Sequence, residues 1–332
     1  MEQDKNNTQQ IKIRTMQVVL VLGVLLLLVK FFAYFITNSN AILTDAIESV
    51  VNVLAGAFAL YSAYYAARPK DEGHPYGHGK IEFLSAGFEG GMISLAGLAM
   101  IIKGIVAFFR KDSINEADVG AYLSAFTGLL NFIMGKYLLQ KGKKFDSALM
   151  LADGKHLISD ALSSAGLVIG LFLIYFTGIN WIDYIITIIL GGFIVYSGLK
   201  LVIESVTNLL DKADYGKLNQ LIKLLKDDRR EKWIDIHNLR VLKYGSKLHV
   251  DCHITLPWYD SLEESHKEVS LVETLVRNNL DDEIEFFIHA DPCLPTSCPI
   301  CPLKTCPHRK AGFVQQVEWN LTNVLPDKKH SL

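Results

Sequence analysis

The stretch MQVVLVLGVLLLLVKFFAYFIT at residues 16–37 is apolar along almost its whole length. A helix needs about 20 mainly apolar residues to cross the hydrocarbon core of a bilayer, and this stretch is long enough. Residues 1–15 are polar, and no small-residue cleavage site follows the stretch, so it does not resemble a secretory signal peptide. It therefore predicts a first transmembrane helix and an integral membrane protein.

Five further stretches of similar length and composition follow. The six predicted spans cover residues 16–37, 41–67, 82–109, 117–140, 149–176 and 181–204. Spans three and six are rich in glycine, which predicts close helix packing, because small residues let backbones approach in lipid. Basic residues cluster before span one, between spans two and three and after span four, which predicts that both termini are cytoplasmic. The expected location is the bacterial inner (plasma) membrane.

The composition changes after span six to that of a soluble domain. Helical spacing over 215–226, alternating strands over 234–243 and 247–256, a helix over 261–279 and a strand over 283–289 follow in order. This αββαβ order predicts a small α+β layer with two helices on one sheet. The predicted fold is thus a multi-pass α-helical membrane protein with a C-terminal α+β cytoplasmic domain.

Five segments are expected along the chain. They are a cytoplasmic N-terminal segment (1–15), the six-helix transmembrane domain (16–208), the cytoplasmic α+β domain (209–292), a cysteine-rich segment (293–310) and a C-terminal tail (311–332). The tail is expected to form a short helix and a frayed end. Half of the residues are apolar and the net charge is −2, which excludes a disordered chain and a nucleic-acid-binding protein.

Polar residues at membrane depth form a matched pattern in two spans. Span two carries Asp45, Glu48 and Asn52, and span five carries Asp153, His156 and Asp160. Offsets of three and four residues place each set on one helix face, and their side chains are ligand types for first-row divalent metals. Because ionisable residues in a span are costly, the pattern predicts a metal site. The alternative is that these residues only join helices by hydrogen bonds.

Several short motifs carry a family resemblance. They are SNAILTDA at 39–46 with Glu48 and Asn52, HPYGHGK at 74–80, His156 with Asp160, and NLLD at 208–211. In these motifs the chain resembles the cation diffusion facilitators, which include the zinc transporters. The resemblance implies a homodimeric metal–proton antiporter with a metallochaperone-like cytoplasmic domain. It implies a transport site on Glu48, Asn52, His156 and Asp160, which Asp45 and Asp153 are expected to support.

Span two departs from the pattern of that family. Its members usually present Asp or His followed by Asp, whereas this chain presents Glu48 and Asn52. The amide is a weaker ligand than imidazole, so the cargo is open among zinc, the family's commonest metal, and iron, manganese or cobalt. The alternative function is a membrane-embedded metal or redox sensor that binds without transport. No phosphate-binding loop or nucleophile elbow is present, so no enzyme is expected.

Two further features lie at the membrane surface. Asp71, His74 and His78 have the spacing of a second metal site, and the alternative is a solvated turn made by the neighbouring glycines. Similar proteins pair the positions of Lys80 and Asp211 as a charge interlock at the dimer seam. Unpaired, such charges would be solvated and contribute little.

The soluble domain is rich in histidine. His237, His253, His266, His289 and Asp291 match regulatory metal positions of the family. The alternative is an exposed polar face of the sheet. Metal binding is the favoured reading, because exposed faces rarely choose histidine so often.

Cysteines cluster after the third predicted strand, which suggests metal binding in a reducing compartment. Cys293, Cys298, Cys301, Cys306 and His308 follow the spacing C-x4-C-x2-C-x4-C-x-H. Structural zinc held by four thiolates, or by three thiolates and one imidazole, is the leading prediction. An iron–sulfur cluster, a redox disulfide pair or no site at all are the alternatives. The segment is an addition to the family pattern, so the resemblance does not decide its role.

Overall fold

A computed structural model describes residues 2–37, 40–110, 117–177, 181–245, 247–280 and 283–332. The side chains of Asp45 and Glu48 lie outside the described part. The chain divides into two compact units, Met1–Leu210 and Asp211–Leu332. Each unit is built around its own set of buried residues.

The first unit consists of long helices. They are α1 (Glu2–Thr37), α2 (Asn40–Ala66), α3 (Ile81–Arg110), α4 (Ala117–Lys144), α5 (Ala148–Thr177) and α6 (Trp181–Leu209). All six have the length needed to cross a bilayer, in agreement with the six predicted spans. Within the described residues, α1, α2, α3 and α6 are also apolar enough by composition alone. Because α1 begins at Glu2, the polar N-terminal segment continues the first helix.

Helices α3 and α6 pack with their backbones in contact along a glycine seam, formed by Gly90, Gly97, Gly191 and Gly198. A Cβ added to Gly90 would lie 2.9 Å from the carbonyl oxygen of Gly198, and one on Gly97 would lie 2.8 Å from that of Gly191. Real Cβ atoms do not approach backbone this closely, so these positions require glycine. The close packing predicted from the glycine content is confirmed.

Helix α5 is held against α4 in a similar way. A Cβ on Gly135 of α4 would lie 3.0 Å from the carbonyl oxygen of Gly154, which belongs to α5. Gly154 adjoins Asp153 and precedes His156 by less than one helical turn. The close contact therefore fixes the part of α5 that carries the predicted metal ligands.

The second unit contains the predicted αββαβ arrangement. Its elements are α7 (Tyr215–Asp227), β1 (Asp235–Tyr244), β2 (Lys247–Leu256), α8 (Leu262–Asn279) and β3 (Glu283–Pro292), followed by a 3-10 helix (Pro295–Ile300) and α9 (Leu321–Val324). Strand β2 is central, antiparallel to β1 and parallel to β3. The first two strands form a hairpin. Ser261 and Glu264 begin α8 with a capping box, in which each side chain accepts from the backbone of the other.

The C-terminal tail completes the core of this unit. Trp319 and Val324 are buried in the same apolar cluster as Leu221 and Val276, which come from α7 and α8. The guanidinium of Arg229 lies 3.7 Å from the centre of the Trp319 ring. The prediction of a frayed end is therefore wrong, because two large apolar side chains bind the tail to the domain.

Candidate metal sites

A membrane cluster forms where α2 and α5 meet. It consists of Asn52, Asp153, His156 and Asp160, which line one cavity of about 60 Å³. The Asn52 amide nitrogen donates to Oδ2 of Asp160 over 2.8 Å, and Nε2 of His156 lies 3.7 Å from the same oxygen. Donation by the nitrogen leaves the amide oxygen as the atom that can ligate a metal. Three of the four predicted transport ligands thus lie together, with Asn52 and His156 both directed at the Asp160 carboxylate.

The remaining predicted membrane residues divide into two cases. Asp153 is buried one turn before His156 and lines the same cavity, as expected of a supporting group. The side chains of Glu48 and Asp45 lie outside the described residues, so their predicted roles stay predictions.

Sequence reasoning missed a carboxylate that α3 contributes to this cluster. Glu89 is buried, and its Oε1 lies 3.5 Å from Nδ1 of His156. The imidazole therefore lies between two carboxylates, those of Glu89 and Asp160. An acidic residue inside a predicted span was an available signal. It was overlooked because Glu89 has no partner ligand one helical turn away.

Sequence reasoning also missed a cation beside the cavity. Lys30 of α1 is buried, and its ammonium donates to Oγ of Ser49 over 2.8 Å. Both side chains line the same cavity as Asn52 and Asp160. Carboxylates, an imidazole and an ammonium group therefore surround one small cavity.

The loop after α2 brings Asp71, His74 and His78 together as predicted. One carboxylate oxygen of Asp71 lies 3.0 Å from Nδ1 of His74, and the other lies 3.2 Å from Nε2 of His78. The pKa of Asp71 is lowered, mainly because its side chain accepts a hydrogen bond from His74. Gly77 has a φ of 87°, which lets the chain turn back so that both imidazoles face the carboxylate.

A histidine row crosses the sheet of the second unit. His237 of β1, His253 of β2 and His289 of β3 are directly paired across neighbouring strands. Their ring centres lie 5.1 and 4.8 Å apart. The carboxylate of Asp291 lies 3.3 Å from His237, 3.1 Å from His253 and 3.7 Å from His289. Four of the five predicted residues therefore form one continuous cluster.

The tail adds groups to the histidine row that the sequence did not predict. Asp327 lies within ligand distance of His237 and His253, and the ammonium of Lys329 lies 3.4 Å from Asp291. The fifth predicted residue, His266, is exposed on α8 and lies outside the ligand groups formed by the described residues. Its role stays a prediction.

One residue of the tail, His330, is tied to β1. The backbone N–H of His330 donates to Asp235 over 2.9 Å, and its imidazole also contacts that carboxylate. Burial opposes ionisation of Asp235, but hydrogen bonds from His237 and His330 outweigh it and lower its pKa to about 2. In turn, the bond to Asp235 raises the pKa of His330. A charged pair therefore fastens the tail in mildly acidic solution.

The four cysteines of the cysteine-rich segment line one cavity together with His308. None of the five described cysteines forms a disulfide. Burial raises the pKa of the Cys293 and Cys301 thiols, which disfavours a reactive thiol pair because the thiolate is the nucleophile.

Lys80 and Asp211 belong to different units, and their predicted interlock stays a prediction.

Both units match models of known protein families. Residues 16–210 match the cation efflux transmembrane domain, and residues 214–293 match the cytoplasmic domain of cation efflux proteins. The cation-efflux pump FieF of Citrobacter koseri is 28% identical over 283 residues, covering 82% of this chain and 90% of that protein. FieF of Escherichia fergusonii is 27% identical over 279 residues, with 81% and 89% covered.

A transporter of Synechocystis sp., sll1263, is also similar. It is 28% identical over 251 residues, which cover 76% of this chain and 81% of that protein. Neither family model extends beyond residue 293. The matches therefore include the membrane cluster and the histidine row but leave out most of the cysteine-rich segment.

Proposed function

The chain belongs to the cation efflux family, and we propose that it exports a divalent transition metal from the cytoplasm in exchange for protons. Zinc is the favoured cargo, and iron, manganese and cobalt are the alternatives. The observation that carries the proposal is the convergence of Asn52 and His156 on the Asp160 carboxylate inside the helix bundle. Imidazole, amide and carboxylate together form a ligand set for such ions.

Proton exchange is proposed to run through His156. Its two ring nitrogens face Glu89 and Asp160, which can hold the protonated ring when the metal has left. The ring must be neutral to ligate a metal, so arrival of the cation displaces a proton. Return of protons from the opposite side would release the metal there.

Lys30 is proposed to keep the site from binding its cargo too tightly. Conduction requires binding that is favourable enough to enter and weak enough to leave. An ammonium group on the wall of the same cavity repels a divalent cation and offsets part of the attraction of the carboxylates. A transport site needs such repulsion, whereas a site that holds its metal permanently does not.

The working unit is proposed to be a homodimer with both termini in the cytoplasm, in a bacterial inner membrane. The family match of the second unit and the bacterial origin of the relatives support this arrangement. Metal bound at the histidine row and at the Asp71–His74–His78 loop would regulate transport, because both clusters lie outside the spans.

The test is metal flux into sealed proteoliposomes under a pH gradient. We expect the gradient alone to drive uphill zinc movement, with iron, manganese and cobalt added as competitors. His156→Gln keeps a polar side chain but should abolish the coupling. Unchanged pH dependence in this variant would place the proton on another residue. Binding without flux in the unaltered protein would favour the alternative, a membrane-embedded sensor.

The identity of the cargo can be tested at one position. Asn52→Asp restores the carboxylate that is more usual in the family and adds a negative charge beside Asp160. We expect it to strengthen zinc transport relative to manganese and iron. If the metal preference did not change, Asn52 would be a packing residue and not a ligand.

A further inference from the structure

The cysteine-rich segment contains a cavity that has no part in the proposed transport. Cys293, Cys298, Cys301 and Cys306 all line it, and its volume is about 330 Å³. Their sulfurs are free thiols, and the segment lies almost wholly beyond the family models. We propose that these four cysteines bind a polynuclear iron–sulfur cluster of the [4Fe–4S] class.

The size of the cavity separates this ligand from a single zinc ion. A structural zinc site is closed, with four Zn–S bonds of about 2.3 Å around one ion, so it leaves no cavity between its sulfurs. A cubane of iron and sulfide is larger, and a cavity of about 330 Å³ lined by all four cysteines has room for it. The volume of the cavity therefore favours the cluster.

A cation holds the cysteine loop in shape. The Arg309 guanidinium donates to the carbonyl oxygens of Cys298 and Cys301, each over 3.0 Å, and to that of Leu303 over 2.6 Å. The backbone N–H of Lys310 donates to Sγ of Cys298 over 3.3 Å. A cluster with four thiolates is anionic, and N–H···S bonds and nearby positive charge stabilise it.

The cavity has one buried side, and its other side carries exposed residues such as Trp258 and Leu294. Cys301 is buried among Ile234, Ile300 and Leu303. The His308 ring lies 4.9 Å from the Trp258 ring and 5.0 Å from the Tyr259 ring, measured between centres. His308 therefore packs against aromatic residues at the edge of the cavity, and four thiolates remain to hold the cluster.

The experiment is an analysis of the full-length protein purified without oxygen. We expect about four iron atoms and four acid-labile sulfides per chain, with visible charge-transfer absorption and an electron paramagnetic resonance signal after reduction. Cys306→Ser should lose iron and sulfide. The matched control is Cys252→Ala, which removes the fifth cysteine, buried in the sheet, and should keep both.

Two measurements keep the test decisive. In an Asp160→Ala background, Cys306→Ser should still bind zinc at the histidine row by calorimetry, which shows that the second unit folds, because the row and Cys306 belong to the same unit. Iron bound at the membrane cluster carries no sulfide, so Asp160→Ala should leave the sulfide content unchanged. One zinc ion per chain with no sulfide, or no cluster after reconstitution with iron and sulfide, would overturn the proposal.

Arg309 is a positioning residue in this proposal. Arg309→Gln removes the positive charge but keeps a hydrogen-bond donor. We expect the cluster to assemble and its reduction potential to become more negative, because the added electron loses a nearby stabilising charge. An unchanged potential would mean that Arg309 only holds the loop.

Discussion

The membrane cluster and the histidine row use the same chemical groups but are assembled in different ways. In the membrane cluster, His156 and Asp160 come from one helix at an offset of four residues, so their neighbourhood follows from helix geometry. In the histidine row, each imidazole comes from a different strand, and only the register of the sheet aligns them. A helical site can thus be predicted from spacing alone, whereas a sheet site requires the topology.

The two regions also differ in the charges around them. The membrane cluster includes a buried ammonium group, Lys30, on the wall of its cavity. The histidine row has Lys329 near Asp291, but that side chain belongs to the tail and is partly exposed. A cargo site must release its ion in every cycle, whereas a regulatory site needs only to respond to concentration.

The largest effect should distinguish the two sites by flux. Asp160→Ala removes the carboxylate on which the membrane cluster converges. We expect proteoliposome flux to fall by more than about 100-fold, since loss of a proposed direct ligand should exceed the 10- to 100-fold effect of outer partners. His289→Ala, which alters the row, should keep most of its flux. Equal losses in both variants would remove the functional distinction between the regions.

A smaller loss of flux should follow from Glu89→Gln. This substitution keeps the shape of a buried side chain 3.5 Å from His156 but removes its charge. We expect about a tenfold decrease in flux and a shifted pH profile. Glu204→Gln is the matched control, because Glu204 is exposed and pairs with Lys155 on the surface. If the pH profile of Glu89→Gln matched that of the unaltered protein, this carboxylate would serve only in packing.

A measurement of metal binding should test the histidine row. His253 is the central imidazole and belongs to both ligand groups of the row. In an Asp160→Ala background, calorimetry on the full chain should show that His253→Ala weakens binding by about 10- to 100-fold. His266→Ala should change it little. An equal effect at His266 would bring that exposed residue into the site through a second subunit.

The smallest expected effect concerns the tail that carries Asp327. The raised pKa of His330 means that its contribution to stability is present in mild acid and is lost as the pH rises through that pKa. The lowered pKa of Asp235 means that its contribution persists until strong acid. His330→Gln should therefore reduce the unfolding free energy by about 1.5 kcal/mol at about pH 5.5 and by much less at about pH 9. Denaturation at the two pH values checks this, and equal losses would contradict it.

Most of the architecture could be predicted because it depends on local patterns. Apolar length predicted the six helices, and period-two alternation predicted the strands. The sequence did not predict that Trp319 enters the core or that Asp327 reaches the row, because both contacts depend on how the chain folds back after β3. Glu89 and Lys30 were missed because each reaches the cavity from its own helix, without a spaced partner.

The glycine seam has a consequence for how the gene can vary. Every glycine codon begins with two guanines, so any single-base change that alters the amino acid adds a side chain or a stop. A library of random single-base changes should therefore yield active clones with only silent changes at Gly90, Gly97, Gly191 and Gly198. At Gly91 and Gly192, next along the same helices, an added Cβ would meet no described atom within 4 Å. Those two codons should accept alanine, so that tolerated and forbidden codons stand side by side in both helices.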